Sequence, residues 1–185
     1  MTRTVNALDR LVTDFIAACD QNQYPLTPYD PQWPSSCYRH TAEPGSPVSW
    51  HPVRMETPGD MFARLGQALE SSLHPDLISY YTRYWSDPIR CTLPDGTRLS
   101  LLFAWNNDDM ERLRANLIGH ALAKQKQKHT LTLFFGILEP DADDMITLDN
   151  QDGSIWLERP GKPPHTRLAD NLAEFLDQLT PEPGI

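Results

Sequence analysis

Apolar residues recur at three- and four-residue intervals near the start of the chain: Val5, Leu8, Leu11, Val12, Phe15, Ile16 and Cys19. This spacing predicts a helix with one buried face. From Gln21 to Pro58 the period is lost, and Pro25, Pro28, Pro31, Pro34, Pro44, Pro47 and Pro52 break up the chain. Long stretches of this kind tend to be functional or disordered. Trp33, Cys37, Val48, Trp50 and Val53 are scattered among the prolines. They predict an ordered, irregular segment pinned to the core, with a short strand near Val48–His51. Thr57-Pro58 then has the form of a helix start: a hydroxyl cap, followed by a proline whose missing N–H costs nothing there. Met61, Phe62, Leu65, Ala68 and Leu69 give that helix its apolar face. A further short helix is predicted after His74-Pro75, with Leu77, Ile78 and Tyr81 inward.

The second half alternates short β-prone runs with helical ones. Ile89–Leu93 and Arg98–Trp105 flank Pro94-Asp95-Gly96, and Asp-Gly between two such runs predicts a hairpin. Asn106-Asn107-Asp108-Asp109 caps the next helix and sets negative charge on its positive end. That helix carries Met110, Leu113, Leu117, Ile118, Ala121 and Leu122, and closes in Lys124, Lys126, Lys128 and His129, which suit the negative C-terminal end. Leu131–Leu138 is almost continuously apolar, which predicts a strand buried on both faces. Met145–Leu148 and Ile155–Glu158 flank Asn150-Gln151-Asp152-Gly153, a second hairpin. Leu168, Leu172, Phe175, Leu176 and Leu179 predict a final helix, stopped by Pro181 and Pro183. No repeat and no linker divides residues 1–185, so one domain is expected.

Composition narrows the class. The 185 residues are 39% hydrophobic and 22% charged, which is globular rather than disordered. The opening residues, interrupted by Arg3, Asp9, Arg10 and Asp14, do not read as a secretory leader. The longest apolar run falls far short of the roughly 18 residues of a membrane span. Cys19, Cys37 and Cys91 form neither a pairable framework nor a ligand spacing, so reduced thiols in a cytoplasmic protein are expected.

The formal charge of −9 is unevenly placed. Met1–Leu138 holds 14 acidic and 13 basic residues, and Glu139–Ile185 holds 11 acidic and 3 basic. This excludes a nucleic-acid footprint, which needs cations, and argues against bare anionic lipid. A basic protein surface is the natural partner.

No motif for acyl or phosphoryl transfer, dinucleotide binding or zinc hydrolysis is present. His120, alone on its helix, reads as a hydrogen-bonded structural residue. Cys37, despite His40 nearby, reads as a buried thiol. The acidic segment Glu139, Asp141, Asp143 and Asp144 lacks the alternation of a calcium loop. Asp152-Gly153 would require Leu148 and Arg159 as calcium ligands, which their side chains cannot be. No cofactor and no metal are expected.

The run Leu101-Leu102-Phe103-Ala104-Trp105-Asn106-Asn107-Asp108-Asp109-Met110-Glu111-Arg112-Leu113, with Asn116-Leu117-Ile118-Gly119-His120 behind it, closely resembles the central signature of the Syd family of SecY-interacting proteins. Leu168-Ala169-Asp170-Asn171-Leu172-Ala173-Glu174-Phe175-Leu176 resembles that family's C-terminal helix. Ser36-Cys37, Trp50-His51-Pro52, Tyr84-Trp85-Ser86-Asp87 and Thr132-Leu133-Phe134 fit in the same order. The likeness spans nearly the whole chain and is weakest from Asn22 to Pro47 and near Asp141. It implies the α+β fold of the wider SMI1/KNR4-like (SUKH) superfamily: a mainly antiparallel sheet with helices packed on it. It also implies a non-enzymatic, peripheral protein on the cytoplasmic side of the bacterial inner membrane. Such a protein binds the Lys- and Arg-rich loops of SecY in quality control or negative regulation of the translocase. Asp87, Asp108 and Asp109 lie in matched motifs and rank first as docking residues. Glu111, Asp95, Asp149 and Glu158 follow, as acids at turns, strand ends or a helix start. The alternatives are a SUKH-type immunity protein that neutralises a basic toxin, and a small hydrolase using His120 or Cys37.

Overall fold

The first helix, α1 (Arg3–Gln21), buries the face its spacing predicts: Leu8, Leu11, Val12, Phe15 and Cys19 are each at most 3% exposed. Thr2 caps it by accepting from the Val5 N–H. The computed structural model describes residues 1–140 and 143–183. Asp141 lies outside them.

The proline-rich segment is ordered. β1 (Leu26–Pro28) pairs with β2 (Pro47–Ser49), and β3 (Val53–Arg54) pairs with β4 (Tyr84–Trp85). The next helix starts later than Thr57-Pro58 suggests. α2 runs Met61–Leu69 behind Asp60, whose side chain makes no capping bond. α3 (Pro75–Tyr81) follows His74 as expected, and the imidazole Nδ1 accepts from the Asp76 N–H.

Among the described residues the main sheet has seven strands, all antiparallel, in the order β10 (Thr166–Ala169), β9 (Ile155–Glu158), β8 (Met145–Asp149), β7 (Thr132–Leu138), β6 (Arg98–Leu101), β5 (Ile89–Thr92) and β11 (Thr180–Pro181). β5 (Ile89–Thr92) and β6 (Arg98–Leu101) form the first hairpin, and β8 (Met145–Asp149) and β9 (Ile155–Glu158) the second. β7 (Thr132–Leu138) sits between them. Its continuous apolar character follows from cover on both sides, since successive strand side chains face opposite ways. Phe134 meets His120 of α4 (Asn107–Lys126), while Phe135 meets Tyr80 of α3 and Phe175 of α5 (Leu172–Asp177).

The predicted helix from Leu168 to Leu179 is divided. Thr166–Ala169 forms edge strand β10 on β9, and α5 begins only after Asn171, which accepts from the Glu174 N–H at 2.9 Å. Thr180–Pro181 is β11, an edge strand on β5, where a proline lacks no ladder bond that matters. One core joins the sheet to the helices, so the fold is α+β.

Candidate partner-binding site

The start of α4 is built by its own sequence. Asn106 Oδ1 accepts from the Asp109 N–H, and Asp109 Oδ2 accepts from the Trp105 N–H, both at 2.8 Å. This reciprocal pair satisfies one donor that the helix leaves open, the Asp109 N–H, and ties the preceding Trp105 N–H to the first turn. The proline-rich segment is tied to the same point. Ser35 Oγ donates to the Trp105 carbonyl, and Asn106 Nδ2 donates to the Pro34 carbonyl. A parallel bridge between Trp85 and Ala104 brings β4 alongside, and the Ser86 N–H donates to the Ala104 carbonyl at 3.0 Å. Asp87 is thereby carried to the helix start, 22 residues away in sequence from Asp109.

Asp87 is the unusual group of this surface. It is half-buried, and no hydrogen bond or ion pair reaches its carboxylate among the described residues. Burial first, and the charge of Asp109 second, push it up to about 6. It lines a cavity of about 430 Å³ with Phe15, Trp50, Leu102 and Ile137. Glu139 lines the same cavity and is held by Ser100 Oγ and by Arg90 at 3.4 Å. Asp108 is exposed at the first turn of α4, and among the described residues neither it nor Asp109 pairs with a cation. Asp87 and Asp109 lie close enough for their charges to interact, and Asp108, next to Asp109 in the first turn of α4, adds a third carboxylate without a cation.

The other four candidates do not join this group as free charges. Glu111 lies on the same helix, but Arg64 and Arg114 both bond it and hold its carboxyl down to about 2. Asp95 is at the β5–β6 turn, where the Thr97 N–H bonds it and keeps its carboxyl below the usual range. Asp149 is at the β8–β9 turn and accepts from the Gln151 N–H at 2.7 Å. Glu158 requires correction. It is 0% exposed, so its carboxylate is not part of an acidic surface. Thr132 Oγ1 and Thr147 Oγ1 donate to it, at 2.8 and 3.0 Å to Oε2, and Lys124 Nζ lies 3.1 Å from Oε1.

Lys124 stands in the last turn of α4, as its sequence suggests, but it is 1% exposed and faces inward to Glu158. Its place at 117, 121, 124 continues the apolar stripe of Leu117 and Ala121, which was the sequence signal. His120 completes the cluster, with Nε2 3.1 Å from Thr132 Oγ1. Burial lowers its affinity for a proton.

The charge map changes as well. Acids of the last quarter meet arginines from earlier in the chain: Glu174 with Arg3 at 3.6 Å, Asp177 with Arg10, and Glu182 with Arg98 at 3.9 Å. Asp144 pairs with Arg159, and Asp170 with Arg167. The C-terminal excess is thus largely met inside the protein.

All three cysteines are buried and free. Burial pushes the Cys37 thiol up to about 11, which disfavours the thiolate that nucleophilic attack needs. Among the described residues no three His, Cys, Asp or Glu groups come together to hold a metal, and no helix is long and apolar enough to cross a membrane.

Residues 5–181 match the family model described as Syd protein (SUKH-2). Protein Syd of Pseudoalteromonas atlantica is 40% identical over 185 residues, covering 98% of each chain. Protein Syd of Colwellia psychrerythraea is 39% identical, covering 97% of this chain and 96% of the relative. Protein Syd of Hahella chejuensis is 41% identical over 147 residues, covering 80% and 74%.

Proposed function

The chain belongs to the Syd (SUKH-2) family, and from that premise we propose that it is a non-enzymatic docking protein of the Sec translocase. It binds the cytoplasmic Lys- and Arg-rich loops of SecY through Asp87, Asp108 and Asp109, as a peripheral protein at the inner membrane. Its role there is quality control or negative regulation of export.

The observation that carries this reading is Asp87. A half-buried carboxylate without a cation, beside a second carboxylate, is costly to the fold. Groups perturbed in this way cluster at functional sites. A Lys or Arg brought by a partner would supply the missing counter-charge. Cytoplasmic loops of membrane proteins are biased towards those residues. Complementary charge speeds and orients encounter, and its effect weakens with salt.

The test is binding of the purified protein to SecY complex in nanodiscs across a salt series, beside an Asp87→Asn/Asp108→Lys variant. Saturable binding that weakens with salt and with the variant is the expected result. Absence of binding at low salt would overturn the reading. Salt-sensitive binding that the variant leaves untouched would move the site elsewhere on the protein.

A further inference from the structure

We propose that an apolar pocket beside the acidic group receives one apolar side chain of the same basic polypeptide segment. This inference rests on the docking reading above. It adds the contact that retains the segment once charge has steered it in.

The pocket is a cavity of about 280 Å³, with Met55, Met61, Phe62, Trp85 and Met110 as its apolar lining. Four separate parts of the fold bring these together. Met55 follows β3 and is fixed by its N–H to the Arg83 carbonyl at 3.0 Å. Met61 and Phe62 open α2, and Met110 lies in the first turn of α4, against which α2 packs. Trp85 closes the wall from β4, two residues before Asp87. The same indole also lines the cleft formed by Pro34, Trp105 and Asn106. Asn107 is shared between the pocket and that cleft, and Asp108, one of the carboxylates without a cation, is itself part of the pocket lining.

Three of the protein's five methionines meet here. Met55, Met61 and Met110 are 7%, 3% and 8% exposed, so each reaches the mouth without leaving the core. Thioether side chains are unbranched and polarisable, and they adapt to apolar guests of different shape. The volume is close to the lower bound of ligand pockets, about 300 Å³. It suits one side chain rather than a bulky cofactor.

The rim selects the occupant by charge. Asp60 and Glu111 share Arg64 at the mouth, Arg114 also bonds Glu111, and Asp108 is left without a cation. The rim is therefore net negative through Asp108, which favours a cationic segment over an acidic one. Asp108 belongs both to this rim and to the docking group, so a basic residue at Asp108 leaves a nearby apolar residue over the pocket. An apolar centre ringed by polar groups is how interfaces convert encounter into retention.

The experiment uses the full chain labelled at methionine methyl groups. The probes are a short Lys/Arg-rich peptide with one central leucine and its Leu→Ala counterpart. The expected result is that the ε-methyl signals of Met55, Met61 and Met110 move at saturation while Met1 and Met145 stay. The alanine peptide binds roughly tenfold weaker or more. Asn107→Trp, a change at an exposed position on the mouth, should bring the leucine peptide down to the affinity of the alanine peptide. Equal binding of the two peptides with the three signals unmoved overturns the pocket and leaves charge-driven docking intact. Binding of neither peptide also overturns the pocket, and the nanodisc experiment above then decides separately whether the docking reading stands.

Discussion

Replacing Asp87 with Asn should stabilise the fold at neutral pH and weaken partner binding. The carboxyl is raised from 3.8 to about 6, chiefly by burial and then by Asp109. Each unit corresponds to about 1.4 kcal/mol between the two protonation states, so this shift corresponds to at most about 3 kcal/mol. The group is only half-buried, and solvent screening reduces this to about 1–2 kcal/mol. The sign follows from proton uptake. Between pH 4 and 6 the folded state holds the proton and the unfolded state does not, so stability falls as pH rises through that window. Below pH 4 the acid is protonated in both states and the penalty vanishes. Urea unfolding of the wild type and Asp87→Asn at pH 3.5, 5 and 7 should therefore give curves that nearly coincide at the lowest pH. They should separate in favour of the variant as pH rises. A variant less stable than wild type at pH 7 would refute the reasoning, because the ionised carboxylate would then be making a stabilising bond.

Two further substitutions test the interior. Lys124→Met leaves the Glu158 carboxylate with Thr132, Thr147 and the buried His120 ring but no Lys or Arg cation, and should cost about 3–5 kcal/mol, whereas Lys124→Met with Glu158→Leu should recover much of it. Strictly additive losses in denaturant unfolding would mean that the two do not act as a pair. Gly153 has φ +78°, and a Cβ there would lie 2.6 Å from His74 Nε2. Gly153→Ala should therefore cost about 1–3 kcal/mol, and His74→Ala in the same chain should relieve the steric part.

What the sequence made legible was local. The period of α1, the Asp-Gly hairpin of β5 and β6, and the Asn106 cap of α4 depend on neighbours within a few residues. The division of the last helix was missed because Leu168 stands four residues before Leu172 and imitates a helical turn. Asn171 followed by Glu174, a cap with its partner three residues on, was the contrary signal. Glu158 was misjudged for a different reason. Lys124 continues the inner stripe of α4, but the pairing that buries both charges joins residues 34 apart, and no local pattern near Glu158 announces it. The candidate site was half visible. Asp108 and Asp109 are adjacent in the chain, but the approach of Asp87 depends on the long-range bridge from Trp85 to Ala104. The methionine-lined pocket was invisible, because Met55, Met61 and Met110 come from three elements.

The position of the net charge carries a more general lesson. Counted along the chain, the acidity belongs to the last 47 residues, and the first 138 are close to neutral. In the fold, Glu139, Glu174, Asp177 and Glu182 are drawn to Arg90, Arg3, Arg10 and Arg98, all from that neutral part. Exposed pairs of this kind contribute little stability. Their larger effect is on the field, because each removes a cation that would otherwise offset an acid elsewhere. Arginines that balance Asp87, Asp108 and Asp109 in a sequence count are, in space, occupied by the C-terminal acids. The C-terminal quarter can thus leave Asp87, Asp108 and Asp109 unbalanced although Glu139 is its only residue in the cavity that Asp87 lines. An arriving cation would there meet an ionised, half-buried Asp87 that has no counter-charge among the described residues.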